Sequence, residues 1–560
     1  MSKIQNWKKI GNISGSTGTS EFQFSLKDFK SRIGDIVAVP NEVPSSDYSA
    51  KVTKIVWGRI TTISRTNPFH SVEVGQELAN EELTPEQTSV PFVRDQLIAT
   101  AVVLGCSDEN SFKQITPLTY PVQPTSSVFY PSTADIKELL TGGLEAKHKM
   151  HIGTLIARSD VEVELSADKV VSRHLAILAM TGGGKTVAAR RVIRELIDKK
   201  YPVLILDPHG DYLGFYEKKA LFNNLDVKIF YPHIGVTQDT KAHVESLITK
   251  MTSGLTEPQR EELHKFLDSV KVDSYLDVKT YIEEIIHKID ASFNTDDKRK
   301  LPTLGALKRQ LGFVVSQLTA MEISNNSMRA RLKKINFEKL PDPKTDPASI
   351  IKPGQLSILY LGGYNHLLQT TIASMLLEQL FAHRSNLSNR IPPFSTIVEE
   401  AHTFVPSARE GNDVPSIETI RKIITEGRKF GTGLVLISQR PSRVDETILS
   451  QCNSFLVLRL VNPKDQTYIR NIMENLSEQD SKMLPSFGPG EGIISGQAVR
   501  FPLLVKIKHD EDLRFSDISN EDFIDEASQW SPQEIDVKSI ANSNRLKLIR
   551  DIKAKRTKRK

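Results

Sequence analysis

The first 124 residues alternate short β-rich runs with turn-forming residues. Gly34-Asp35-Ile36-Val37-Ala38-Val39-Pro40, the stretch from Ala50 to Ser64 and the stretch from Leu97 to Gly105 are examples, set among Gly, Pro, Asn and Ser. Many short strands divided by turn signals predict a small barrel or sandwich. No catalytic cluster falls within it, so the region reads as an assembly or contact module. Residues 133–150 carry a helical pattern, and a short strand from Gly153 to Ala157 leads onward.

From His151 to about Tyr231 apolar strands alternate with helices. Leu175–Ala179 and Val203–Leu206 are continuous apolar runs with a helix between them, and Val227–Phe230 follows. Such runs suit a parallel sheet covered on both faces. From about Thr237 to Pro341 long charged segments carry apolar residues at helical spacing, as in Pro258 to Val270 and Tyr281 to Ile289, and predict a helical insertion. The β/α alternation resumes at Leu356–Leu361 and continues through Thr396–Val398, Leu434–Ser438 and Phe455–Leu458. Gly488 to Ile507 reads as a turn and a hairpin, with strands Gly492–Ser495 and Phe501–Lys506. The expected organisation is a β-rich domain over residues 1–130 and the first part of an α/β core over 131–235. A helical insertion over 236–345, the second part of the core over 346–510 and a tail over 511–560 complete it.

Composition narrows the class only slightly. A chain of 560 residues has ample material for a large core, and 39% hydrophobic with 25% charged residues excludes a fibrous or wholly disordered protein. With 73 basic and 68 acidic residues, the net charge of +5 is too balanced to indicate nucleic acid by itself. A phosphate-binding surface would have to be local. Two basic runs qualify: Lys553 to Lys560, and Arg329, Arg331, Lys333 and Lys334 at the close of the insertion. Each reads either as a solvated surface or as a phosphate contact. Cys106 and Cys452 offer neither metal spacing nor a disulfide framework, which fits a reducing cytosol. Met1 to Asn12 has no apolar segment, and no run of about 18 apolar residues occurs, so a cytoplasmic protein without membrane contact is expected.

Chemistry concentrates in four places. Ala179-Met180-Thr181-Gly182-Gly183-Gly184-Lys185-Thr186 follows a predicted strand and opens a helix from Val187 to Lys199. This is the P-loop pattern with Ala in the first Gly position. Three consecutive glycines let the backbone wrap phosphate oxygens, and N–H groups of Thr181 to Val187 at the helix N-terminus face the negative charge. Lys185 is expected to reach the β- and γ-phosphates of ATP, and Thr186 to place its hydroxyl on Mg2+. Ile397-Val398-Glu399-Glu400 is an apolar strand ending in two acids. Glu399 is assigned to the Mg2+ side, through water, and Glu400 to orienting the attacking water. Asp207, in Leu206-Asp207-Pro208-His209-Gly210-Asp211-Tyr212, sits at a strand end where ligands gather. It reads equally as a nucleotide contact or as part of a turn. Leu436-Ile437-Ser438-Gln439-Arg440-Pro441 offers a polar group at another strand end that could touch the γ-phosphate and report hydrolysis. Upstream, Arg428 and Lys429 in Glu426-Gly427-Arg428-Lys429-Phe430-Gly431 read either as a projection into a neighbouring subunit's site or as an ordinary surface pair.

Taken together these motifs resemble the HerA helicase/translocase family. Ser172-Arg173-His174-Leu175-Ala176-Ile177-Leu178 running into the P-loop carries the likeness, with Asp207-Pro208-His209-Gly210, Glu399-Glu400-Ala401-His402 and Ser438-Gln439-Arg440-Pro441 following in the family's order over about residues 150–510. The resemblance implies a RecA-like P-loop ATPase core behind a barrel similar in placement to the family's N-terminal HAS-barrel. It further implies a homohexameric ring around duplex DNA without sequence preference, ATP bound between neighbours, and a nuclease or other effector partner in DNA repair or antiviral defence. On that pattern Arg428 and Arg173 are candidate arginine fingers and Gln439 a candidate sensor. Two positions depart from it: Asp211 stands where many members have Glu, and Thr425 where many have Arg before Glu426.

Overall fold

The structure is a computed structural model. It describes residues 3–510, apart from 28–30, 45–50, 67–75, 77–79, 81–95, 223–224, 234, 237–240, 253, 273–275, 294–300, 386–390, 409–413 and 474–475, together with residues 513, 527 and 528. Residues Met1–Arg514 form one compact unit, and Phe515–Lys560 fall in a second. The tail expected from residue 511, including the basic run Lys553 to Lys560, lies outside the described residues except for those three positions.

The N-terminal strands are β1 (Lys8–Thr17), β2 (Glu21–Leu26), β3 (Ile36–Pro44), β4 (Lys51–Thr66), β5 (Gln96–Asp108), β6 (Ser111–Thr116) and β7 (Ser127–Tyr130). Their order is β2-β1-β7-β3-β4-β5-β6, and a further β2–β5 pairing closes six of them into a barrel. In β2 the alternation is plain: Phe22 and Phe24 are fully buried between exposed Glu21, Gln23 and Ser25. The two rings enter the barrel opposite Ala101 and Ala99 of β5, where small partners leave room. Gly58 is needed for the same reason, since a Cβ there would stand 2.8 Å from Phe22. The barrel is tied to the rest by Arg59, whose guanidinium donates to both oxygens of Asp480 at 2.8 and 2.7 Å, with both side chains nearly buried.

The central sheet has twelve strands: β8 (Lys149–Leu155), β9 (Glu162–Ser166), β10 (Leu175–Leu178), β11 (Val203–Asp207), β12 (Asp226–Tyr231), β15 (Phe337–Lys339), β16 (Gln355–Tyr360), β17 (Phe394–Val398), β18 (Thr432–Ser438), β19 (Ser454–Leu458), β20 (Glu491–Gly496) and β21 (Leu503–Ile507). The short strands β13 (Gly235–Val236) and β14 (Leu276–Asp277) pair separately. The order is β15-β12-β16-β11-β17-β18-β10-β19-β20-β21-β8-β9. The strands from β15 to β19 run parallel, and β20, β21, β8 and β9 continue antiparallel. β10, β11, β16, β17, β18 and β19 are buried at every position, as strands covered on both faces must be.

Two expectations are refined. The strand expected at Gly153–Ala157 occupies Lys149–Leu155 and forms a hairpin with β9, extending the antiparallel end; the helix before it is Thr133–Thr141 only. The stretch 236–345 is mostly helical, with helices Lys241–Met251, Glu257–Ser269, Val278–Ser292 and Leu301–Arg331, but it also returns β15 to the sheet edge beside β12. Local sequence explains two of these helices. Thr256 and Gln259 form a capping box with Pro258 in the first turn, and Asp277 accepts from the N–H groups of Lys279 and Thr280. The buried side chains of the stretch merge into the main core. Its basic end is partly internal: the Arg329 guanidinium stacks 3.8 Å from the Tyr231 ring centre and Lys334 lies 3.6 Å from Glu217. No helix among the described residues is long and apolar enough to cross a membrane.

Candidate active site

Parallel strands aligned in register bring their C-terminal ends to one edge, and four of the sequence motifs meet there. β10 leads into the loop Ala179–Gly184, and the helix Lys185–Asp198 follows. Gly182 and Gly184 have φ of 76° and 97°, left-handed values that favour glycine. At Gly183 a Cβ would stand 3.0 Å from the Met180 carbonyl oxygen, and at Gly184 2.7 Å from the Gly490 nitrogen. The loop is held in shape by backbone bonds: Gly183 N–H to Met180 O at 3.0 Å, Met180 N–H to Arg459 O at 2.9 Å, and Gly490 N–H to Gly183 O at 3.0 Å. Gly184 is the N-cap and has no side chain to cap with. The first-turn N–H groups of Lys185, Thr186 and Val187 therefore lack intrahelical acceptors and present positive ends to the loop. Thr181 and Gly182 are exposed at its rim.

Glu399 and Glu400 follow β17, next but one to β10 in the sheet. The Lys185 ammonium lies 2.6 Å from Glu399 Oε1 and 2.7 Å from Glu400 Oε1, so one cation bridges both acids. Glu399 is fully buried. Burial is the main influence on it and raises its carboxyl to about 7, against the lowering pull of Lys185 and Tyr212. For Glu400 burial also pulls upward, but hydrogen bonds from His402, Lys185 and Gln439 and the Lys185 charge prevail and hold it at about 2. The His402 Nδ1 is 3.3 Å from Glu400 Oε2. Glu400 is a non-glycine residue at φ 50°, ψ 52°. Such a conformation costs on the order of 1–3 kcal/mol and persists only where surrounding contacts enforce it.

Gln439 follows β18 and joins the two motifs. Its side-chain N–H donates to Glu400 Oε1, and its oxygen accepts from the Thr181 hydroxyl of the glycine loop. Gln439 therefore links the glycine loop to Glu400.

Asp207 departs from the cofactor-contact reading. Its carboxylate has no exposed surface. Oδ1 accepts from the N–H groups of His209, Gly210 and Asp211 at 3.2, 2.7 and 3.2 Å, and Oδ2 from that of Tyr212 at 3.1 Å. The carboxylate thus caps its own turn, the other of the two readings the sequence left open. That loop delivers a residue the sequence reading passed over: Tyr212, fully buried, whose hydroxyl donates to Glu399 Oε2. His402 was missed likewise. Both sat inside quoted motifs, but nothing in the spacing shows which side chain turns inward.

The two arginines lie elsewhere. Arg173 ends the helix Ala167–Arg173 before β10, and Arg428 lies in the turn Gly427–Phe430 before β18. Both are at the N-terminal edge of the strands whose other ends carry the P-loop and Gln439. The seven residues of β18 span about 20 Å and separate Arg428 from Gln439 along that strand.

A glycine cradle at a helix N-terminus, a lysine within reach of two acids, and a polar side chain linking them at the C-terminal edge of a parallel sheet define a P-loop ATPase. Comparison with known proteins gives the relationship. Residues 150–380 match the family model described as "Helicase HerA, central domain". The DNA double-strand break repair helicase HerA of Pyrococcus furiosus is 29% identical over 555 residues, spanning 90% of this chain and 93% of that protein. The protein of the same name from Sulfolobus acidocaldarius is 28% identical over 507 residues, 89% of this chain and 92% of that one. The solved structure of VirB4 of Thermoanaerobacter pseudethanolicus is similar at 15% identity and a TM-score of 0.44, covering 66% of this chain and 100% of that one. Along most of its length this chain is similar to the HerA helicases.

Proposed function

We propose that the chain is an ATP-driven DNA translocase or helicase that works as a ring of six copies, together with a nuclease or another effector protein. The observation that carries the catalytic part is the Lys185 bridge to Glu399 and Glu400 beside a glycine loop, with Gln439 touching both loop and acid. The DNA part rests on the relatives named as double-strand break repair helicases.

ATP is the substrate. The N–H groups from Gly182 to Val187 would take the phosphate oxygens, and the Lys185 ammonium would exchange the acids for the β- and γ-phosphates. The Thr186 hydroxyl and, through water, Glu399 would hold Mg2+, which supplies charge neutralisation on the phosphates. No cluster of three or more His, Cys, Asp or Glu side chains placed to hold a metal occurs among the described residues. Glu400, held as a carboxylate, accepts a proton from the attacking water and orients it. Gln439 reports the change at Thr181 to Glu400. Arg428 or Arg173 of a neighbouring copy would close the open side of the phosphates. DNA would be held through phosphates without base readout, and its affinity would fall steeply with salt.

The test is ATP turnover with and without long duplex DNA, with the native partner present. Duplex DNA is expected to raise turnover, and Lys185→Ala to reduce it to background. Equal rates with and without DNA would overturn the motor reading.

A further inference from the structure

Lys185 has two duties that conflict. In this structure its ammonium lies 2.6 Å from Glu399 Oε1 and donates a hydrogen bond to Glu400 Oε1. Once phosphates compete for the ammonium, Glu399 loses the cation that pairs with it while remaining fully buried. A buried carboxylate without a donor is costly and free to turn. Its second oxygen already has another partner, the Tyr212 hydroxyl.

The delivery of that hydroxyl is built in. β11 and β17 are neighbours, with Leu206 opposite Val398, so Asp207 and Glu399 emerge side by side. The Asp207 carboxylate winds the next residues around itself through four backbone N–H groups, the last being that of Tyr212. Gly210 makes the winding possible at φ 88°, and a Cβ there would stand 3.1 Å from Leu213. The Tyr212 ring is thereby sent back under the sheet edge to Glu399.

We propose that Tyr212 is the positioning residue for the metal-side acid: its hydroxyl holds the Glu399 carboxylate in place when Lys185 moves to the phosphates, and the Asp207 turn exists to set that hydroxyl. The inference rests on the ATPase reading above. It makes Tyr212 act through Glu399 on Mg2+ and not on the nucleotide itself.

The experiment is Mg2+-dependent nucleotide binding by the full chain, read with a fluorescent non-hydrolysable ATP analogue, alongside turnover against Mg2+ concentration. Tyr212→Phe removes one oxygen and keeps the ring. It is expected to bind the analogue in EDTA as the wild type does, to need several-fold more Mg2+ for tight binding and half-maximal turnover, and to lower kcat about tenfold with KM for ATP unchanged. In a Glu399→Gln background the same substitution is expected to add nothing to the Mg2+ requirement, the mark of a residue that acts through that acid. An unchanged Mg2+ titration in Tyr212→Phe, or an equal further loss in the Glu399→Gln background, overturns the role. Lys185→Ala separates the two levels: full turnover in that variant defeats the ATPase reading itself, whereas background turnover with an unmoved Mg2+ titration defeats only the role of Tyr212.

Discussion

The two edges of the parallel sheet are built on opposite plans. At the C-terminal edge Lys185, Glu399, Glu400, Gln439 and Tyr212 contact one another, Asp207 is bonded by its own turn, and Glu399, Tyr212 and Asp207 have no exposed surface. At the N-terminal edge Arg428 is exposed and Arg173 half-exposed, and among the described residues neither side chain makes an ion pair. The turn that carries Arg428 is nevertheless firmly held. Arg384 donates to the Phe430 carbonyl at 2.6 Å, the Tyr201 hydroxyl to that of Gly431 at 2.9 Å, and Gly431 sits at φ 66°. A Cβ at Gly427 would stand 2.5 Å from the Thr432 carbonyl oxygen. One edge gathers its cradle, acids and Gln439 within a subunit. The other offers a cation, on a rigid mount, to something outside it, and a ring that apposes opposite edges of neighbouring copies would join the two.

The largest effect comes from separating the edges. If Arg428 or Arg173 completes a neighbour's site, replacing the acting one by Ala lowers turnover about 10³–10⁵-fold. The instructive measurement mixes subunits. An Arg428→Ala subunit keeps its C-terminal edge, and a Lys185→Ala subunit keeps its N-terminal edge. Each alone is inactive, and a co-assembled mixture regains turnover wherever an intact cradle meets an intact arginine. The same mixing with Arg173→Ala tells which arginine acts. Absence of recovery with both would place the arginines' effect within the subunit, against the roughly 20 Å length of β18.

A smaller effect tests how tightly the C-terminal edge is wired. Gln439→Ala removes the link between Thr181 and Glu400 but leaves Lys185 and both acids. Hydrogen bonds to a charged group contribute about 1.5–3 kcal/mol, which corresponds to roughly 10–150-fold in rate when felt only in the transition state. The expected outcome is a loss of kcat in that range with nucleotide affinity unchanged. A raised KM with intact kcat would make Gln439 a ground-state contact and not a sensor.

The difference between the edges also explains what the sequence revealed. Glycine, lysine and paired acids announce themselves because only a few residue types can line a phosphate cradle, and strand periodicity told which edge they occupy. The barrel was legible from short β-rich runs between turn residues, the α/β core from continuous apolar runs alternating with helices, and the insertion from apolar residues at helical spacing. Tyr212 was not, because its position depends on the winding of the Asp207 turn, which composition does not disclose. Asp207 was ambiguous for the same reason: a strand-end acid looks alike whether it faces ligand or its own backbone. β8, β9 and β15 joining the central sheet are tertiary pairings between segments distant in sequence, beyond the reach of a local pattern.

An effect of another kind falls at the N-terminal edge and concerns stability, not turnover. His174 follows the Arg173 helix with φ 61°, is 2% exposed, and accepts the Leu434 N–H on Nδ1 at 3.0 Å. It thus pins the Arg173 segment to β18, which also carries the Arg428 turn. Burial lowers its pKa to about 4, opposed by a hydrogen bond with the Ile424 backbone, so the folded state needs the neutral ring. Because the unfolded chain takes up the proton near 6.5, this contribution is fully present above pH 6.5 and is lost as pH falls towards 4. The loss amounts to about 3 kcal/mol, since each tenfold difference in proton affinity between the folded and unfolded chain is worth roughly 1.4 kcal/mol. His174→Asn keeps an acceptor and tolerates the left-handed backbone, so it is expected to fold but to lack this component. Denaturant unfolding of the two proteins between about pH 7.5 and 4 isolates the difference, since all other titrating groups are shared. Parallel stability curves across that window would show that the neutral ring is not what fastens this edge.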